Sequence, residues 1–139
     1  MTRTLGEDEL RAIATFEAVT DVPADDCLIE DDRILFVVPA GQMGAAIGPS
    51  GRTVDRLERR MGRSVKLVKA AETAENFVAN ALAPAAVYNV TVSEGETTVA
   101  YAEVDRADRG VAIGADGRNI AAARRLAARH FDIDDIQLV

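Results

Sequence analysis

The most constraining feature of this chain is an eleven-residue stretch that it carries twice. Gly44-Ala45-Ala46-Ile47-Gly48-Pro49-Ser50-Gly51-Arg52-Thr53-Val54 returns 66 positions later as Gly110-Val111-Ala112-Ile113-Gly114-Ala115-Asp116-Gly117-Arg118-Asn119-Ile120, with six of the eleven residues identical. In each copy small and apolar residues run into Ile-Gly-x-x-Gly, and amphipathic helical spacing begins directly after it. Two glycines three apart allow a very tight turn and leave no side chain to hold a ligand off the backbone. The helix that follows aims its unpaired N–H groups and positive dipole end at the same spot, which favours an anion such as a phosphate. The repeat therefore reads as two phosphate-gripping turns.

A length of 139 residues suits one ordinary domain, but the repeat argues for two small ones, 1–70 and 71–139. Apolar residues make up 48% of the chain and no apolar run approaches a membrane span, so a soluble, globular protein without a membrane partner is expected. The start, Met1 to Asp8, lacks the apolar segment of a secretory signal, and the single Cys27 excludes an intramolecular disulfide. Both point to the cytoplasm. One cysteine and one histidine, His130, do not make a structural zinc site, and no cofactor is expected. Cys27 and His130 read as packing or surface residues.

The net charge of −7 is unevenly spread. Residues 1–32 hold two basic and ten acidic residues, and 72–139 hold six basic and eleven acidic. Residues 33–71 reverse the sign, with eight basic (Arg33, Arg52, Arg56, Arg59, Arg60, Arg63, Lys66, Lys69) and two acidic (Asp55, Glu58). Positive charge is thus gathered just after the first Gly-x-x-Gly, where a polyanion needs it. Only two of the sixteen basic residues are lysine, and this Ala-rich, acidic, Lys-poor composition resembles that of proteins from salt-loving archaea.

Residues 5–19 carry Leu10, Ile13, Ala14, Phe16 and Val19 at helical spacing, until Asp21, Pro23 and Asp25-Asp26 break the pattern. Cys27-Leu28-Ile29 and Arg33 to Val38 predict a hairpin around Asp31-Asp32. A short helix ending at Ile47, the glycine turn, a helix to about Met61 and a strand at Ser64 to Val68 complete the first unit. The second follows the same order: a helix from Thr73 to Leu82 that Pro84 ends, strands at Val87 to Val92 and Thr97 to Val104 around Ser93 to Glu96, a short helix from Asp105 to Ile113, the turn, a helix from Arg118 to about His130 and a strand at Asp135 to Val139. Each unit reads αββααβ, an α+β fold with a three-stranded sheet. At about 100° per residue, Val54, Leu57 and Met61 lie opposite Arg52, Arg56, Arg59 and Arg63. In the second copy Ile120, Ala123 and Ala127 lie opposite Arg118, Arg125 and Arg129, with Ala122 standing where Arg56 stands in the first.

An αββααβ unit with Ile-Gly-x-x-Gly between two helices resembles a type II KH domain, and two in tandem resemble the archaeal NusA-like transcription factors. In KH domains the loop clamps the backbone of about four nucleotides of single-stranded RNA. Carried onto this chain, the resemblance implies that Gly48-Pro49-Ser50-Gly51 and Gly114-Ala115-Asp116-Gly117 are backbone clamps. Ile47 and Ile113 would line an apolar groove for bases, and Arg52 and Arg118 would meet phosphate, with Arg56 nearby. Val65, Lys66 and Leu67, and likewise Ile136, Gln137 and Leu138, would offer backbone groups to base edges. The same resemblance implies action on nascent transcript at RNA polymerase, in pausing, termination or antitermination, by a monomer.

Each residue also has a plainer role open to it. Ser50 and Asp116 are good N-cap residues, Ile47 and Ile113 suit a core, and Arg56, Arg59, Arg60 and Arg63 suit a solvated helix face. Pro49 has no N–H to donate, and Asp116 sets a negative charge where phosphate should sit, so the first loop is expected to grip more strongly. No paired carboxylates, nucleophile with a base, or metal cluster stands out, so an enzyme is not expected. Two other functions fit the same residues: ribosome assembly through ribosomal RNA, and protein docking through the acidic residues 1–32 with vestigial RNA grooves.

Overall fold

The computed structural model describes residues 5–139; Met1 to Thr4, part of the polar start noted above, lie outside them. The chain divides into two compact units, the first ending at Ala70 and the second running Ala71–Val139. Six α-helices and six strands occur among the described residues, three of each in either unit.

The first unit begins with α1 (Glu7–Thr20), which buries Ala12, Phe16 and Thr20 along one stripe. Ile13 and Val19 pack at its flanks, whereas Leu10 is 56% exposed and Ala14 also faces solvent. The helix ends where Asp21 turns left-handed at φ 59°, and Thr20 closes it by donating to the Phe16 carbonyl at 2.7 Å and accepting from Val22 N–H at 3.1 Å. Strands β1 (Asp26–Ile29) and β2 (Arg33–Val38) form the expected hairpin. After the short α2 (Met43–Ile47) and the longer α3 (Arg52–Met61), β3 (Ser64–Lys69) returns parallel to β2, giving the order β1-β2-β3.

Branched and aromatic side chains make β2 the centre of the sheet, and all six of its residues are buried. Ile34, Phe36 and Val38 join Phe16, Cys27, Ala46 and Leu57 in one cluster between sheet and helices. Phe16 and Phe36 meet there with ring centroids 4.5 Å apart. Leu28, Leu35, Val37 and Val68, on the other face, are withdrawn from solvent as well.

The second unit repeats this plan with α4 (Ala74–Leu82), β4 (Val87–Glu94), β5 (Thr98–Val104), α5 (Arg109–Ile113), α6 (Arg118–Phe131) and β6 (Asp135–Leu138), in sheet order β4-β5-β6. Thr73 caps α4 by accepting from Asn76 N–H at 3.2 Å. The turn expected at Ser93 to Glu96 falls at 95–97, because β4 keeps Ser93 and Glu94 paired with Val99 and Thr98. Residues 106–108, expected within a short helix, form a tighter 3-10 turn ahead of α5. Ile120, Ala122, Ala123, Leu126 and Ala127 of α6 are buried, and His130 packs its ring 5.2 Å from that of Phe77. This sheet is one-sided, with Ala100, Ala102 and Val104 inward and Asn89, Thr91, Glu103 and Gln137 in water. Hence β4 alternates where β2 is continuously buried.

Phe36 is fully buried against Phe16. Phe36→Ala should therefore cost about 3–5 kcal/mol in urea unfolding; a loss below about 1 kcal/mol would mean that this cluster does not hold the first unit together.

Candidate nucleic-acid interface

The two glycine turns have nearly the same backbone. Gly48 and Gly114 both sit at φ 77°, with ψ 169° and 170°. Ser50 and Asp116 follow at φ 53° and 55°, and Gly51 and Gly117 at φ 73° and 74°. The dihedrals of the first glycine are essentially closed to other residues. A methyl group there would also stand 2.1 Å from Thr53 Oγ1 in the first copy and 2.9 Å from the Asn119 backbone nitrogen in the second. Gly117 has open space around it and needs only its left-handed φ.

Ser50 and Asp116 do not cap the following helices. Each is the left-handed residue inside the turn, Gly51 and Gly117 hold the N-cap positions, and no side chain caps either helix. The reason is steric: three positive-φ residues in four are needed to reverse the chain between the helices, and Ser50 and Asp116 are spent on that reversal. Asp is among the non-glycine residues that best tolerate this conformation.

The supply of phosphate donors is narrower than the motif suggests. Gly48 and Gly114 donate to the Gly44 and Gly110 carbonyls at 2.8 and 2.9 Å, and Gly51 and Gly117 donate back to Gly48 and Gly114 at 3.1 and 3.0 Å. Arg52 and Arg118 donate their N–H groups to Pro49 and Ala115. Loop amides that these bonds do not use are those of Ser50 in the first turn and of Ala115 and Asp116 in the second.

Beside each turn the apolar wall faces water. Ile47 is 39% exposed, Ile113 40% and Val111 42%, so the isoleucines are not core residues. Asn119 fixes this wall in the second unit by donating from Nδ2 to the Val111 carbonyl at 2.9 Å. Arg52 is exposed at the start of α3, and Arg118 is half-buried at the start of α6. Arg56 is drawn elsewhere: its guanidinium donates to the Val19 carbonyl at 3.2 Å, at the end of α1. Its counterpart Ala122 is buried, so this helix position faces a neighbouring element in both units.

The open edges of β3 and β6 complete the surface, since among the described residues neither pairs with a second strand. Ser64 and Ala70 donate N–H to Asp32 and Val38, so alternate residues including Lys66 turn their backbone toward β2, and Val65 and Leu67 turn theirs outward. Val139 donates to Ala102, which by the same alternation turns Ile136 and Leu138 outward and Gln137 inward. Glu58 on α3 accepts the outward Val65 N–H at 2.8 Å, and Arg124, its counterpart on α6, donates to the outward Ile136 carbonyl at 2.9 Å while pairing with Asp135 at 2.8 Å. Leu67 and Leu138 are thus the next outward backbone along each edge. The sequence reading missed Thr53, Asn119, Glu58 and Arg124; superposing the repeats shows that each pair shares a position, but nothing in residue type reveals what it touches.

The comparisons with known proteins agree with this geometry. Residues 9–97 match the KH domain family and residues 74–139 match the NusA-like second KH domain. The chain is 66% identical over 138 residues, 99% of either chain, to the probable transcription termination protein NusA of Halobacterium salinarum. It is 31% identical to the protein of the same name in Methanocaldococcus jannaschii, over 97% of this chain and 74% of that one. The chain belongs to the NusA family. The crystal structure of APE1850 superposes with a TM-score of 0.82 at 28% identity, over 97% of this chain and all of that one. The tandem KH fold of the family is the α+β architecture described above.

Gly48→Ala should cost about 3 kcal/mol, combining forbidden dihedrals with the collision at Thr53. Gly117→Ala, which meets nothing, should cost about 1 kcal/mol. Equal losses in chemical unfolding would contradict the asymmetry within the motif.

Proposed function

We propose that this chain is a non-catalytic, single-stranded RNA-binding transcription factor. It engages nascent transcript at RNA polymerase and acts in pausing, termination or antitermination, with one KH domain in 1–70 and a second in 71–139. The observation that carries this reading is the near-identity of the two turns, each exposed beside an exposed isoleucine and followed by an arginine. Bases pack on Ile47 and Ile113 while the sugar-phosphate spine passes Gly48-Pro49-Ser50-Gly51 and Gly114-Ala115-Asp116-Gly117. Arg52 and Arg118 supply the charge, and the outward backbone of Leu67 and Leu138 offers a donor and an acceptor to base edges. Lys66 contributes its charge from the neighbouring strand face, and Arg56 acts from the periphery because Val19 already holds it.

The loops are unequal in opposite senses. Pro49 removes an amide from the first, yet that loop sits beside the arginines of α3. The second keeps the amides of Ala115 and Asp116 but repels phosphate through the Asp116 carboxylate. Charge acts at longer range than a single hydrogen bond, so the first loop grips more strongly.

The double variant Pro49→Asp, Ser50→Asp should abolish binding to unstructured RNA and leave the fold intact, since an aspartate already occupies the equivalent left-handed position in the second loop. Asp116→Asn keeps that conformation and should tighten binding severalfold. Unchanged affinity in the double variant would show that the first loop does not hold the RNA. Crosslinking in cells should recover reads across nascent transcripts; reads confined to pre-ribosomal RNA would move the protein to ribosome assembly.

A further inference from the structure

A feature of the second unit has no counterpart in the first. Strand β4 carries a bulge: Val87 pairs with Val104 and Asn89 with Glu103, so Tyr88 is inserted between them without a register partner. In the first unit β1 pairs with β2 residue by residue, without interruption. Bulges re-aim side chains out of the regular pleat, and Tyr88 is left 66% exposed.

The exposed ring is nevertheless fixed in place. Its hydroxyl donates to Asp105 Oδ2, while Asp105 Oδ1 accepts from Ala107 N–H at 2.8 Å. The strand segment before the ring is pinned to the same turn, since Asp108 Oδ2 accepts from Ala86 N–H at 2.8 Å and Asp105 N–H donates to the Ala86 carbonyl at 2.9 Å. The hydrogen bond to Asp105 and that carboxylate's charge push the Tyr88 phenol above its ordinary range, and the phenol in turn draws Asp105 below its own. The hydroxyl thus remains a donor and the carboxylate an acceptor throughout neutral pH. The corresponding turn of the first unit, Pro39-Ala40-Gly41-Gln42, has neither carboxylate.

Tyr88 forms one wall of a cleft of about 440 Å³ with Glu103, Val104, Arg106, Arg109 and Val139. Arg109 begins α5, the helix that ends at Ile113 beside the glycine turn, and Val139 follows Leu138 at the end of the open β6 edge. The cleft is thus bordered by the first residue of α5 and by the residue that follows β6, at the ends of the two elements that flank the proposed RNA groove. A rigid aromatic ring beside two guanidinium planes is the chemistry on which an unpaired nucleobase stacks.

We propose that Tyr88, with Arg106 and Arg109, forms a nucleobase-stacking site that holds a base of the RNA strand after it leaves the groove of the second unit. The inference rests on the RNA-binding role proposed above. It gives the second unit a means of retaining RNA that does not depend on the loop holding Asp116. Asp105 and Asp108 are turned onto Tyr88, Ala107 and Ala86, so Glu103 is the side-chain carboxylate that shares the cleft lining with the ring and the two arginines.

The test uses the full chain with oligoadenylate of two lengths: roughly four nucleotides, as one such loop holds, and roughly eight, enough to run past it. The protein contains two tyrosines and no tryptophan, so Tyr101→Phe leaves Tyr88 as the only fluorescent ring of that kind. Binding of the longer strand, followed by anisotropy, should quench Tyr88 emission. Tyr88→Ala should weaken the longer strand on the order of tenfold and leave the shorter one unchanged, and Tyr88→Phe, which keeps the ring, should bind as the unaltered protein does. Unquenched emission while the longer strand binds, or Tyr88→Ala weakening both lengths alike, would overturn the stacking site and leave the RNA role standing. Failure of both strands to bind the unaltered protein would remove the RNA role and the stacking site together.

Discussion

The architecture of each unit depends on one close backbone approach. At Gly48 and Gly114 the chain reverses between two helices within van der Waals reach of Thr53 and Asn119, leaving no room for a side chain. That reversal sets the angle between α2 and α3, and between α5 and α6, and so lifts Ile47 and Ile113 out of the core. It also consumes most of the loop's own amides, because Gly48, Gly51 and Arg52 and their counterparts bond within the turn. The motif is first a structural device. Under the proposed function, a phosphate would be held by the few amides the turn leaves over, by the arginine that follows and by the dipole of the succeeding helix.

Edges matter as much as loops. In both units the third strand lies at the border of its sheet, with alternate backbone groups directed outward. The helix after the turn covers the first of these from one repeat position, by a carboxylate in the first unit and a guanidinium in the second. Opposite charges serve because an N–H needs an acceptor and a carbonyl needs a donor. The next outward residue, Leu67 or Leu138, remains on the groove side. A strand of RNA lying there would meet an apolar wall, a polar main-chain edge and a positively biased loop, a combination that recognises bases and spine together. Where salt is high, counterion release supplies little of the affinity, and the wall and edge carry more of it.

Much of this was legible in the sequence, since duplication let two readings check each other. The order of elements, the hairpins, the buried Leu57 and the glycine turns all follow from period, branching and glycine spacing. Ser50 and Asp116 did not follow, as their type suits an N-cap and a left-handed turn equally and only the three-dimensional closure decides between them. The bond from Arg56 to Val19 was not legible, because a helical wheel separates apolar from charged faces without showing that the charged face meets the end of α1. The bulge at Tyr88 left no trace in the pattern of β4, because its neighbours alternate as an unbulged strand would.

The central claim is that the two glycine-framed turns, with the strand edges beside them, are where RNA is held. It is tested most directly by following backbone amide resonances of the labelled chain as unstructured RNA is added. The expected result is that Ser50 and Leu67 move and saturate first and Ala115, Asp116 and Leu138 follow at higher RNA concentration, while the acidic face of α1 at Glu7, Asp8 and Glu17 stays still. Movement confined to α1, with both turns silent, would contradict the account and leave the protein a docking module.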